Sequence, residues 1–151
     1  MKLAEALILR ADLQKRIVEL KTRLIRSAKV QEGDKPHENP EVMLKELDNC
    51  ASELTSIIQK VNKTNSVVKI GGTDTISDCL AQRETILLKR SVLSALIEEA
   101  ATKFGRYTNS EIKIKSAVNI NELQKQIDDL AVEYRRIDTK IQEYNWLTEI
   151  E

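Results

Sequence analysis

Arg106, Tyr107, Thr108, Asn109, Ser110, Glu111 and Lys113 gather donors, acceptors and an aromatic ring into one short stretch. A small polar ligand or an acid/base step needs such a mixture, together with a concave pocket and an ionisable group shifted from its ordinary pKa. The same residue types end helices and satisfy the backbone of a tight turn, and this stretch follows a helical pattern directly. Arg106, Tyr107, Ser110, Glu111 and Lys113 are therefore a candidate ligand or interface cluster that competes with a simple capped turn. A second polar cluster, Asn62, Asn65, Asn145 and Trp146, is distant in sequence and meets at one end only if the helices carrying it run antiparallel.

Other chemistry finds few residues to carry it. The one histidine, His37, lies in a loop, away from any Glu-x-x-His pair or Gly-x-Ser-x-Gly elbow, so neither a di-iron bundle nor a catalytic triad is predicted. Gly71-Gly72-Thr73 precedes a helix start but lacks the phosphate-loop lysine, and a connector turn accounts for it. Cys50 and Cys79 match neither a CxxC pair nor a zinc spacing and fall within helical pattern, which predicts burial as small apolar side chains. No catalytic, cofactor-binding or metal-ligating residue is expected.

The elements that must position these residues are long helices. Leu3, Ala6, Leu13, Ile17, Leu20 and Leu24 recur in steps of three and four, interrupted by Arg10, and predict a helix over about 2–27. Asn39-Pro40-Glu41 combines a capping side chain, a proline at the first helical position and an acid at the positive helix start. A second helix follows over about 40–65, with Leu44, Leu47, Ala51, Leu54, Ile58 and Val61 as its stripe. Thr75 and Asp78 form a capping-box pattern ahead of a third helix, about 75–104, with Ile76, Leu80, Ile86 or Leu87, Leu93, Ile97 and Ala101 facing inward. Asn119 and Glu122 do the same for a fourth, about 119–147, whose stripe runs from Ile120 to Tyr144.

Two connectors carry an extended signal. Val67, Val68 and Ile70 before Gly71-Gly72 predict a small hairpin or kinked link, and the alternation Ile112-Lys113-Ile114-Lys115 predicts a short strand that could pair with Lys29-Val30-Gln31 or, if the helices do not form a simple bundle, with 67–70. The fold class is mainly α: an elongated antiparallel four-helix bundle or two long helical hairpins, in one domain over 1–151, with short β segments in the connectors. Arg10, Arg83 and Arg90 fall on or beside the stripes, where a guanidinium either pairs with a carboxylate and sets helix register or snorkels to solvent.

Composition narrows the partners. The 24 basic and 24 acidic side chains cancel, and basic residues alternate with acidic and apolar ones, so no field draws in a nucleic acid or an anionic membrane. The 41% hydrophobic and 32% charged content suits long helices with charged outer faces. No run approaches the ~20 apolar residues of a membrane span, and Leu7–Leu9 is too short for a secretory core, which predicts a cytoplasmic chain.

The opening MKLAEALILRADLQKRI, the loop AKVQEGDKPHENP, the NKTN segment, the RYTNSEIK stretch and the closing IQEYNW together resemble a bacterial family known as the septicolysins. The likeness runs nearly end to end. It implies a small helical protein without assigned catalytic residues, while the family's name suggests a cytolysin. The residues themselves favour a scaffold or interaction protein that self-associates through heptad faces. A ligand binder or enzyme using the 106–113 cluster is the second expectation, and a membrane-active protein the third.

Overall fold

The computed structural model describes residues 1–102 and 113–151. Its helices are α1 (Leu3–Arg26), α2 (Pro40–Val67), α3 (Ile76–Ala101) and α4 (Ile120–Leu147). They pack in pairs, α1 with α2 and α3 with α4, as helical hairpins.

Caps explain where the helices begin. The Asn39 side chain accepts from the Glu41 N–H at 2.9 Å, so α2 starts at Pro40, which has no N–H to leave unsatisfied. The Thr75 hydroxyl accepts from the Asp78 N–H at 3.2 Å, and the Asp78 carboxylate accepts from the Thr75 N–H at 2.8 Å, closing a reciprocal box. Asn119 accepts from the Glu122 N–H at 3.2 Å ahead of α4.

The chain divides into two compact units, Met1–Lys69 with Gln142–Glu151, and Ile70–Ile141. In the first, Leu13 and Leu20 of α1 pack with Met43 and Cys50 of α2, and Leu9, Ile17, Leu24, Leu47 and Leu54 flank them. The inward stripe of α2 is Met43, Leu47, Cys50, Leu54, Ile57 and Val61. It shares Leu47, Leu54 and Val61 with the expected stripe, but Leu44 and Ala51 are exposed, so the helix is rotated from that expectation.

The reason lies in the flanking charges. Arg16 donates to Glu46 from Nε at 2.8 Å and from Nη2 at 2.6 Å, and Arg23 donates from Nε to both Glu38 oxygens at 3.0 and 3.1 Å. At about 100° per residue, Glu46 lies roughly 60° from the middle of the observed stripe but roughly 120° from the middle of the expected one. Only the observed rotation lets it reach Arg16 while apolar residues fill the seam.

The two ends of the chain also meet in this unit. The Leu3 N–H donates to the Thr148 carbonyl and the Ile150 N–H to the Met1 carbonyl, each at 2.9 Å, giving an antiparallel bridge between Lys2 and Glu149. Leu3 and Ile150 are buried there.

In the second unit Ile70 is buried and its N–H donates to the Asp74 carbonyl at 2.8 Å, closing a turn in which Gly71 takes a φ of 60°. Ile76, Cys79 and Ile86 are the buried residues of α3, so of the pair Ile86 and Leu87 it is Ile86 that faces inward. Ala101, expected inside, is exposed.

No strand or sheet forms among the described residues. Val67 is the last residue of α2, because continuing the helix satisfies backbone groups that its β-branched neighbours could not satisfy without a partner strand. Lys113, Ile114 and Lys115 are exposed and unpaired in strand terms, and Lys29–Gln31 is likewise irregular, so the expected miniature sheet is absent from the described residues; Ile112 lies outside them. A two-segment pairing this short has too few ladder bonds to stand against solvent.

Leu20 is wholly buried at the centre of the first unit's seam. Replacing it with Ala should lower unfolding free energy by about 2–5 kcal/mol, measured by urea denaturation, with helical circular dichroism retained in the absence of denaturant.

Candidate functional site

Arg106, Tyr107, Ser110 and Glu111 lie outside the described residues, while Lys113 is exposed. Asn62, Asn65, Asn145 and Trp146 all belong to the first unit. Asn145 is buried and the Asn65 Oδ1 is shielded from solvent without a hydrogen-bond partner, whereas Asn62 is exposed and Trp146 is 55% exposed. The four therefore differ in exposure, Asn145 the most buried and Asn62 and Trp146 open to solvent.

The arginines on the stripes take different roles. Arg83 of α3 donates from Nη1 to Asp138 Oδ1 of α4 at 2.6 Å, with both side chains about two-thirds shielded. That pair fixes one rotation of α3 against α4. Arg90, seven residues on and so on the same face, has its Nε buried with no acceptor. A planar donor without an acceptor costs free energy that an apolar side chain would not.

Carboxylates held by donors lie at helix ends. Hydrogen bonding from Arg23, then the charge of its guanidinium, holds Glu38 below the ordinary carboxylate range, and Arg23 is raised by the same contact. Backbone and hydroxyl donation from Thr75 lowers Asp78, and Lys2 with the terminal amine lowers Glu149. Burial, reinforced by the charges of Asp74 and Asp78, pushes the Cys79 thiol up, so it stays protonated and behaves as packing. Cys50 and Cys79 are both free and buried.

Concave features are shallow. One groove lies between the end of α3 and the approach to α4, lined by Leu96, Ala100, Ile114 and Val118 with Glu99 and Lys115 at its edge. Another follows α1, lined by Arg26, Lys29, Asp34, Lys35 and His37. Neither encloses a ligand, and among the described residues no group of His, Cys, Asp and Glu could hold a metal ion.

Among the described residues one helix face is left uncommitted. Leu88 of α3 is 62% exposed and Val92 is 66% exposed, with Leu96 and Leu87 partly so, although the opposite side of the same helix already supplies its buried stripe. Apolar residues surround α3, whereas α1, α2 and α4 are each apolar on one side. A single inward stripe on α3 leaves this face out of account. The runs Ile86-Leu87-Leu88 and Ala95-Leu96-Ile97, too wide for a single stripe, are the signal that reveals it.

These features define a protein of paired long helices whose outstanding surface is an apolar helix face rather than an enclosed pocket. The chain belongs to a family of unknown function, DUF6847, whose model matches residues 10–150. It is similar to a crystal structure of a functionally unknown conserved protein from Corynebacterium diphtheriae, at 40% identity and a TM-score of 0.92, over 100% of this chain and 99% of that one. No curated protein matches. The septicolysin name attaches to neither match, so the likeness seen in the sequence reduces to membership of a family without an assigned activity.

Two outcomes follow from the charged groups. Arg90→Met should leave stability unchanged or raise it by up to ~1 kcal/mol in urea denaturation, while Asp138→Ala should lower it by about 1–2 kcal/mol by stranding Arg83. Because Glu38, Asp78 and Glu149 are depressed on folding, their stabilisation is complete above the ordinary carboxylate range and is lost as pH falls through the lower folded values. Glu38→Gln should therefore lower the melting temperature at pH 7 and make the acid decline shallower, read from melting temperature against pH.

Proposed function

We propose that this chain is a cytoplasmic helical scaffold or interaction protein that self-associates, and that the outer face of α3 is its contact surface. The observation that carries the reading is the exposure of Leu88 and Val92 on a helix that already buries another side. A solvent-facing helix surface normally holds charged residues, and leaving branched apolar side chains there is unfavourable unless something covers them.

The α3–α4 seam supports the same reading. Leu93, Ile97, Leu123, Ile127 and Leu130 are half-buried rather than buried, so this hairpin leaves apolar surface that a further helix would cover. A four-helix bundle closed within the chain or between chains would supply such cover. Two buried, unpaired cysteines fit a reducing compartment. Equal numbers of basic and acidic residues remove the long-range repulsion between identical copies.

A cytolytic role has less to rest on, since no helix among the described residues is long and apolar enough to cross a membrane. Light scattering over a concentration series should give a mass that rises to a defined oligomer. Val92→Glu should return the chain to a monomer at the same concentrations without loss of helical signal. A wild-type chain that stays monomeric at millimolar concentration would overturn the reading.

A further inference from the structure

We infer that two copies of this chain pair through α3 in a parallel, in-register arrangement, with Glu84 of each copy facing Lys89 of the other. This rests on the self-association reading and adds the orientation and the residues that select it.

The outer face of α3 has its own heptad. Ala81, Thr85, Leu88, Val92 and Ala95 follow one another in steps of four and three and are exposed, opposite the buried stripe of the same helix, and the exposed Glu99 ends the run at the next position. Small residues at Ala81 and Ala95 let two backbones approach, and Leu88 and Val92 supply the apolar centre. Their exposed surface, with Leu96 beside it, amounts to a few hundred Å², the upper range for a patch on a monomer. Adding the polar flanks over about 21 Å of helix brings the contact toward the ~800 Å² a side typical of stable complexes.

Charge decides the orientation. Seen along the helix, Glu84, Ser91 and Glu98 border one edge of this face, and Lys89 borders the other with Gln82 and Leu96. In a parallel pair each edge meets the opposite edge of the partner helix, which sets Glu84 against Lys89 of the second copy. An antiparallel pair sets like edges together, with Glu84 against Glu98 and Lys89 against Lys89. Both Glu84 and Lys89 are exposed and take part in no salt bridge among the described residues. Neither has an ionic neighbour three or four positions away on α3, so among the described residues both charges remain available to a partner.

The test is charge reversal read by sedimentation equilibrium, with circular dichroism confirming that each variant keeps its helices. Glu84→Lys and Lys89→Glu should each weaken dimerisation about three- to tenfold, and the double variant should recover to within about twofold of the wild type. In an antiparallel pair Glu84→Lys would instead tighten the dimer by relieving its contact with Glu98, and that result would overturn the inference. Ala95→Cys gives a second measure: mild oxidation should link two copies covalently through Cys at that position, because only in-register parallel helices bring the two together. A dimer abolished by Val92→Glu but indifferent to both reversals and not cross-linked would overturn the pairing while leaving self-association intact. A chain that never dimerises would overturn both.

Discussion

The seam between α1 and α2 depends on a rotation that apolar residues alone leave open. Both sides of α2 next to Leu47, Leu54 and Val61 are apolar: Met43, Cys50 and Ile57 on one, Leu44, Ala51 and Ile58 on the other. Burial energy scales with area and is non-directional, so it discriminates weakly between two such faces. The two bonds that Arg16 sends from Nε and Nη2 to one oxygen of Glu46 are directional, and they are met by one rotation of α2, while Arg23 holds Glu38 in the loop just ahead of it. Exposed pairs contribute little to total stability, yet a modest difference suffices to choose between packings of nearly equal apolar content. Hydrophobic burial thus holds the hairpin, and arginine geometry determines which hydrophobic residues are buried.

The same division of labour takes another form between α3 and α4. Arg83 and Arg90 occupy positions on the inward side where aliphatic residues would pack better, and among the described residues Arg83 pairs with a carboxylate while the Arg90 Nε has no acceptor. Placing guanidiniums in the seam and leucines outside inverts the arrangement expected of a helix that serves only its own hairpin. Arg83 contributes register through Asp138, while the apolar content moved to the outer face is available to another chain.

Much of the helical framework can be read from residue pattern because it rests on local rules. The starts of α2, α3 and α4 coincide with Asn39-Pro40, Thr75 with Asp78, and Asn119 with Glu122, since capping is decided within one turn. Rotation about a helix axis is not local. Whether Met43 or Leu44 is buried depends on Arg16, thirty residues from its acceptor. Extended segments fail for a related reason: alternation at Lys113–Lys115 states a preference that only a partner strand can realise. The polar candidates are the least legible, because the antiparallel order of Asn62, Asn65, Asn145 and Trp146 along the chain carries no information on the exposure of each side chain, which runs from buried Asn145 to exposed Asn62 and Trp146.

An exposed apolar helix can meet a lipid surface or another protein, and α3 carries features that separate the two. A helix that lies on a membrane concentrates its apolar residues on one side and lines the other with lysine and arginine, so that both burial and attraction to anionic lipid act together. On α3 the apolar residues surround the axis, and its outer face is bordered by acids on one edge and a lysine on the other. Anionic lipid would be repelled by Glu84 and Glu98 on one border of the patch, with Lys89 alone to attract it on the other. A protein surface with opposite charge along its edges satisfies both borders at once, which is the property that the proposed pairing of α3 with its own copy uses.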